Sequence, residues 1–465
     1  MVRYFLRMEQ HFSRSPNYSS ALKIVRRLVQ AGYEALFAGG SVRDMLLGSA
    51  AAGDIDIATN ARPETLARLF PHTVPVGVKF GVIIVVMDGK PFEVATFRSD
   101  LGIDDGRHPV DVVFTDARND ALRRDFTVNG LFYDPVTGTV LDYVNGREDL
   151  SLGVIRAIGN PHLRFREDYL RMLRSIRFAA RFSFAIEENT WEALRCNAHY
   201  ISGISVERIF AELDKIFCGP HPDRALTLLD ESGLLAEVLP EVSALKGVSQ
   251  PPQFHPEGDV FEHTRKALSL LGENPSPVLA WSVLLHDIGK PVTMTVTDRI
   301  RFNGHDQAGA KKAWQLLREM HSSNTLADEV EACIGNHMNM MQVQNMRLGT
   351  LKKLLARPTI EDELELHRID CLASHGNTEN HGFLREQLER FAVEQIRPVP
   401  LLRGKDLLAL GMLPGPLFGK ILSAVYDQQL EEALSSREEA LQYVREHYRQ
   451  ILADTNADEA AADYS

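Results

Sequence analysis

The feature that most constrains this chain is a change of hydrophobic period about a third of the way along it. Between residues 53 and 145 the apolar residues fall into short strand-like pieces. Asp54-Ile55-Asp56-Ile57 alternates, Gly81 to Met87 is a short buried run, and Phe92 to Phe97 alternates again, with turn clusters such as Asp104-Asp105-Gly106 between them. Beyond about residue 160 the two-residue period gives way to helical periodicity. Upstream, Ile24, Leu28 and Ala31 predict a helix leading into Leu36-Phe37-Ala38. Strands gathered at one end and helices at the other specify an α+β chain: a small α/β head, then a long helical body.

At 465 residues the chain exceeds one ordinary core, and about three domains are expected. Breaks at Gly219-Pro220, Pro251-Pro252 and Arg397-Pro398 divide the helical part. The expected units are a head over 1–150, a helical neck and body over 151–250, a third unit over 251–385, and a helical tail over 386–465 whose acidic end, from Asn456, frays. The longest apolar runs, Val82 to Met87 and Val278 to Leu285, are far short of the roughly 18 residues of a spanning helix. Met1 to Arg14 lacks the apolar core of a secretion signal, so the cytoplasm is expected. Four cysteines without CxxC spacing read as thiols in a reducing compartment. A net charge of −12 argues against nonspecific coating of nucleic acid, so any RNA contact needs a local basic surface.

Two features of the head bear on chemistry. Gly39-Gly40-Ser41-Val42-Arg43-Asp44 joins an apolar run to a helix; glycines there let backbone N–H groups approach a triphosphate, with Arg43 as a compensating charge, although a glycine pair before a helix is also an ordinary turn. Asp54 and Asp56, at strand positions i and i+2, share one face while Ile55 and Ile57 point inward. Neighbouring carboxylates repel unless a divalent cation lies between them. Such a pair suits two-metal transfer chemistry; the alternative is a solvated strand end. Glu93, acidic in an otherwise apolar strand, is either a third carboxylate or an edge-strand charge.

In the body, Asp168, Arg171, Arg174, Arg177 and Arg181 fall within one half of a predicted helix, with Met172, Leu173, Ile176, Ala179 and Ala180 on the other. An acceptor and a forked donor three residues apart can complement the edge of a base; the alternative is a solvated face. With Arg156, Arg164 and Arg166 these arginines are expected to form the basic surface RNA binding requires.

The stretch from Gly39 to Asp44 with Asp54-Ile55-Asp56, then Arg123-Arg124-Asp125-Phe126-Thr127-Val128-Asn129-Gly130, then Glu167-Asp168-Tyr169-Leu170-Arg171 resembles the ordered motifs of class II tRNA nucleotidyltransferases and bacterial poly(A) polymerases. The resemblance implies a nucleotidyltransferase head using Mg2+ on Asp54 and Asp56, with Glu93 the third acid. Gly39, Gly40, Ser41, Arg43 and Arg124 would meet the nucleotide, and Asp125 and Asn129 would distinguish ribose or hold the loop. Asp168 and Arg171 would read the base, with Arg174 and Arg177 on the same face. The implied substrates are CTP, ATP and the 3′ end of tRNA. Arg98 to Pro109 resembles the flexible loop of enzymes that add the terminal A, which leaves CCA addition, A-only addition and poly(A) synthesis open. Pro75 to Gly81 looks more like the tRNA enzymes; Gly130 departs from the Ala or Ser common at its position.

A second series, His263, His286-Asp287, His305, His337 and Asp370, resembles the ligands of HD-superfamily phosphohydrolases over about residues 255–375. It implies an α-helical HD domain holding one or two divalent metals, and a second, hydrolytic activity. A phosphohydrolase with a degenerate nucleotide-binding head is the rival reading from another class; the intact Asp54/Asp56 and Asp168/Arg171 pairs speak against it.

Overall fold

The computed structural model describes residues 16–48, 54–103, 109–251, 253, 255–256 and 258–448. The expected frayed tail from Asn456 and the apolar-core test on Met1 to Arg14 concern residues outside these. The chain divides into two compact units, one of residues 1–244 with 319–322, the other of 245–318 with 323–465.

The first unit opens with α1 (Tyr18–Gln30), whose Ala21, Ile24, Val25 and Leu28 are fully buried at i, i+3, i+4 and i+7. Ala31, expected on that face, is the exposed residue just past the helix end. Each buried Ile or Leu contributes about 1.5–3 kcal/mol, so this stripe seats α1 on the sheet core with Phe37, Ile57, Val85 and Val94.

That core belongs to a seven-stranded sheet of β1 (Ala35–Ala38), β2 (Asp56–Thr59), β3 (Thr73–Gly77), β4 (Val82–Met87), β5 (Lys90–Thr96), β8 (Leu131–Asp134) and β9 (Thr139–Asp142), in the order β3-β4-β5-β2-β1-β8-β9. Only β2 and β5 run parallel; the other neighbours are antiparallel. β5 lies inside the sheet, which removes the edge-strand reading of Glu93. β4 is not buried throughout as its apolar run suggested: Ile83 and Val85 enter the core, while Val82, Ile84 and Val86 are half-buried on the other face.

The expected flexible loop is flanked by an antiparallel ribbon of β6 (Arg98–Ile103) and β7 (Pro109–Phe114), paired from Arg98–Phe114 to Ile103–Pro109; residues 104–108 lie outside the described ones. Gly130 has a packing reason: a Cβ there would lie 2.7 Å from Val144 Cγ2 and 3.2 Å from Ile158 Cδ1.

The body is helical as expected, apart from two-residue pairs at Val154–Ile155 with Ala185–Ile186 and at Thr295–Val296 with Ile300–Arg301. In the first unit α3 (Leu170–Phe182), the next helix labelled after α2 (Gly40–Leu46), buries Met172, Leu173, Ile176, Ala179 and Ala180, the face its periodicity predicts. It packs with α4 (Val206–Phe217).

The second unit has α5 (Val260–Ser269), α6 (Pro277–Leu285), α7 (His305–Glu319), α8 (Asn324–Asn336) and α9 (Ile360–Ala373). α6 is buried along nearly its whole length, the arrangement of a central bundle helix. Two further apolar clusters follow, one from Met340 to Ile396 and one from Leu402 to Val444. Among the described residues no helix is long and apolar enough to cross a membrane.

Candidate active site and metal centre

β1 ends at Ala38, and Gly39 turns the chain into α2 with φ of +68°, a conformation that favours glycine. A Cβ at Gly39 would lie 2.8 Å from Arg124 Nη1, so a side chain there would also have to push that guanidinium aside. Ser41 Oγ donates to the Ala38 carbonyl at 3.1 Å, closing the turn, and is not turned outward.

The same sheet brings the carboxylates together. β2 begins at Asp56, with Asp54 in the bend before it; Ile55 and Ile57 are buried while Asp54 and Asp56 are exposed, the predicted alternation. Ile57 faces Val94 in the parallel register, which places Asp56 level with Glu93 on the neighbouring strand. Although Asp56 reaches solvent, desolvation of its carboxyl by the surrounding protein first, then the Glu93 charge and, more weakly, Asp54 push it from 3.8 up to about 6, with Arg124 opposing them. Acids concentrated in this way with one neighbouring arginine fit a divalent cation.

A polar chain runs from the glycine turn to α3. Arg43 is buried beneath the loop, its Nε donating to Asp44 Oδ1 at 2.8 Å, its Nη1 to Asn129 Oδ1, and its guanidinium lying over Phe178 and Phe182. Asn129 Nδ2 donates to Asp125 Oδ1 at 3.0 Å, and Arg174 clasps Asp125 Oδ2 through Nε at 2.9 Å and Nη2 at 2.6 Å. Although burial alone would raise it, Asp125 is held well below the usual carboxylate range by Arg174, Asn129 and the Phe126 N–H. Arg43, Asp125 and Asn129 thus support the loop from behind, whereas Arg124 lies against Gly39 and is braced by Asp120 through Nε at 3.2 Å and Nη2 at 3.0 Å.

The pair expected to read a base is arranged differently from its spacing. Asp168 is not on α3: the preceding helix, Pro161–Glu167, ends there, Asp168 is extended, and its Oδ1 accepts the Leu170 N–H at 3.1 Å. Its Oδ2 accepts from Arg208 Nη2 at 2.7 Å, while Arg171 Nη1 is taken by Glu167 Oε2 at 2.5 Å. Arg177 Nε donates to Glu212 Oε2 at 2.7 Å. A capping role pulls the aspartate off the helical register, which periodicity alone does not reveal.

The expected basic surface is largely neutralised. Arg156, Arg164, Arg171, Arg174, Arg177 and Arg181 pair with Asp149, Glu167, Glu167, Asp125, Glu212 and Asp44 respectively. Arg166 is exposed. Glu212 and Arg208 escaped the sequence reading. Glu212 left a signal, an acid on the apolar stripe Ile209, Leu213 and Ile216 of α4; Arg208 left none.

In the second unit the whole predicted series converges. His263 of α5, His286 just past α6 and Asp370 of α9 form one group; Asp287, His305 at the start of α7 and His337 just past α8 form another. His286, His305 and His337 each direct Nδ1 at the carbonyl three residues earlier, at 2.9, 2.8 and 2.6 Å. Donation to a carbonyl puts the proton on Nδ1 and leaves a lone pair on Nε2. His305 and His337 Nε2 then face each other at 3.2 Å, and His263 and His286 Nε2 at 3.3 Å. The His305–His337 pair, with both lone pairs turned inward, suits a shared cation, while His263 Nε2 also lies 3.1 Å from Asp370 Oδ1. Burial, with His286 and His305 nearby, pushes His337 down to about 4, so it is neutral at pH 7, as a ligand must be.

Lys290 and Gln250 also belong to this site and were missed. Lys290 Nζ donates to Asp287 Oδ2 at 2.7 Å and Gln250 Oε1 at 2.6 Å, orienting that carboxylate. Asp287, His305, His337 and Asp370 open on a cavity of about 610 Å3 lined also by Arg299, Arg301, Met338 and His375.

The fold and these two constellations define a nucleotidyltransferase head followed by an HD-type helical domain. Residues 35–156 match the poly A polymerase head domain, 183–246 the probable RNA and SrmB-binding site of polymerase A, and 260–374 the HD domain. A CCA-adding enzyme of Lactococcus lactis subsp. cremoris (strain MG1363) is 32% identical over 434 residues, covering 91% of this chain and 95% of that protein. One of Geobacillus kaustophilus (strain HTA426) is 45% identical over 230 residues, 49% of this chain, and there the match spans 56% of the relative, about half its length.

The crystal structure of the Bacillus stearothermophilus CCA-adding enzyme in complex with CTP superposes with a TM-score of 0.73 at 29% identity, covering 95% of this chain and 100% of that one. The Thermotoga maritima CCA-adding enzyme complexed with tRNA shares the fold, with a TM-score of 0.58 at 20% identity over 93% of this chain and 96% of that one. The chain belongs to the CCA-adding enzyme family. Divalent-metal dependence is common to its nucleotidyltransferase and HD families.

Proposed function

We propose that this protein is a cytoplasmic, template-independent tRNA nucleotidyltransferase that adds CCA, or its terminal A, to tRNA 3′ ends from CTP and ATP. The observation that carries the reading is Asp56 level with Glu93 beside the Gly39 turn, in a chain of this family. Asp54 and Asp56, with Glu93, would hold Mg2+, which when bound supplies Lewis-acid activation of the RNA 3′ hydroxyl and neutralises charge on the departing pyrophosphate. The Gly39-Gly40 turn and Arg124 would position the triphosphate, and Arg43, Asp125 and Asn129 keep that turn in place. Asp168 and Arg171 would read the base after exchanging Arg208 and Glu167 for its edge, with Arg174 and Arg177 steadying α3 through Asp125 and Glu212.

The test offers tRNA ending before CCA, tRNA ending in CC, and unstructured RNA, each with CTP, ATP or both. Addition that stops after one A on tRNA is expected. Long A tails on unstructured RNA would make the protein a poly(A) polymerase instead.

Acid should weaken the metal requirement's satisfaction in a defined direction. Asp56, raised to about 6, faces Glu93, Asp54 and Arg124, and below that pH a proton competes with Mg2+ for it. The Mg2+ concentration for half-maximal transfer should rise between pH 7.5 and 5.5; an unchanged value would remove Asp56 from the metal site. Without metal the sign for folding is opposite. A carboxyl whose folded pKa is raised contributes stability that is full below its unfolded value of 3.8 and lost as pH rises through about 6.

A second activity is proposed for the HD site: metal-dependent hydrolysis of a phosphoester. The opposed Nε2 pairs favour it, because they are arranged for cations and not for a packed core. Divalent metal titrated into the wild type and into His286→Ala should bind in the first with a stoichiometry reduced in the second. His286→Ala should also lose any hydrolysis while transfer persists; equal metal binding by the two chains would refute the site.

A further inference from the structure

Two tyrosine rings stack, with a histidine ring tilted against one of them, beside the residues proposed to read the incoming base. Tyr169, next in the chain after Asp168, stacks on Tyr200 with ring centroids 5.1 Å apart and planes 22° from parallel. His199 lies against Tyr200 at 3.9 Å between centroids. Tyr200 and His199 sit on the short 3-10 turn Ala198–Gly203, and their rings remain in solvent: Tyr200 is 48% exposed. A stack formed only to join the turn to the start of α3 has no need to leave that much ring area open, since burying it would stabilise the join.

The surroundings suit a nucleic acid. Asp168 binds Arg208 of α4, so a guanidinium stands one residue from the Tyr169 ring. His162 Nδ1 lies 3.1 Å from Asn197 Nδ2, just before the aromatic turn, and exposed Arg166 is on the same short helix as His162. Exposed aromatic rings are what unpaired bases stack on. The bases of a duplex already have both faces covered.

We infer that the His199–Tyr200–Tyr169 stack is a platform for the unpaired 3′-terminal base of the RNA substrate. The inference rests on the nucleotidyltransferase reading, because it uses the adjacency of Tyr169 to Asp168. When Asp168 and Arg171 hold the incoming base, the base next to it in the growing chain is the RNA's own 3′ terminus. A stacked terminus keeps its ribose from swinging away between additions without reading sequence, as needed by an enzyme whose terminal base changes at every step. Tyr169, Tyr200 and His199 therefore act on RNA position, and the carboxylates of the head on the reaction.

The experiment uses the full chain and tRNA carrying 2-aminopurine at its 3′ end. Binding to wild type should quench the fluorophore by stacking. Tyr200→Ala should weaken RNA binding about five- to hundredfold and abolish most of the quench, while Tyr200→Phe, which keeps the ring, should restore both. In turnover the loss should fall on KM for RNA and not on KM for the nucleotide. His199→Ala tests the exposed end of the same stack if Tyr200→Ala does not fold. Unchanged quenching and RNA affinity in folded Tyr200→Ala or His199→Ala would overturn the platform. Equal losses in the Phe and Ala variants would do so as well. Wild-type transfer is measured in parallel: its absence would refute the nucleotidyltransferase reading, whereas the quench reports the platform without any turnover.

Discussion

Asp56→Asn is expected to reduce nucleotidyl transfer by at least about a thousandfold, equivalent to about 4 kcal/mol of lost transition-state stabilisation. The asparagine keeps the shape of the side chain and removes its charge. Asp56 is the acid that Glu93 and Asp54 both press upon, and the amide relieves that repulsion. Folding should therefore be preserved or improved in metal-free buffer while the reaction is lost. Unfolding temperature and single-turnover transfer, measured on one preparation, separate these effects. Asp54→Ala should likewise lose transfer and leave any hydrolysis at His286 and Asp287 intact. Transfer within about tenfold of wild type in Asp56→Asn would mean that the metal ligands lie elsewhere.

The second large effect concerns stability. Arg174→Ala leaves Asp125 buried without the guanidinium that clasps one of its oxygens, and removing one partner of a buried ion pair costs about 3–5 kcal/mol. For a unit of this size that lowers the unfolding temperature by roughly 6–20 °C. The double variant Arg174→Met with Asp125→Asn, in which no charge is stranded, should recover a large part of the loss. Arg174→Ala melting within about 1 °C of wild type would show that the pair carries no such load.

The pH dependence has a definite sign. Asp125 has its folded pKa depressed, so its contribution is present above the unfolded carboxylate pKa and disappears as pH falls through the folded value. The difference between wild type and Arg174→Ala should accordingly shrink in strong acid.

Much of the second unit's site was readable from residue order. The series His263, His286-Asp287, His305, His337 and Asp370 stands out by its resemblance to HD-superfamily ligands, each residue in or beside a helical stretch, and the structure gathers them into two groups. The head was legible as well. Alternation in Asp54-Ile55-Asp56-Ile57 fixes which side chains share a face, because a strand has no other way to bury two isoleucines.

Periodicity said less about α3. The arginine stripe was placed correctly, but Asp168 lies before the helix as a cap, and its partner is Arg208 from a distant helix. The stripe's charge was also misjudged, since the acids that neutralise it come from Glu167, Glu212, Asp125 and Asp44, scattered over about 170 residues of chain.

By itself, then, the sequence determined the two-part architecture and the faces of its strands and helices, because those follow from local period, and family resemblance singled out the acidic and histidine residues proposed as ligands. Only the tertiary structure decided which charges meet. It set Glu93 level with Asp56 through the parallel β2–β5 pairing, turned Arg43 into a buried brace, and brought Tyr200 onto Tyr169. Ion pairs and ring stacks form between segments that no local period relates, so their partners are fixed by the packing of the chain.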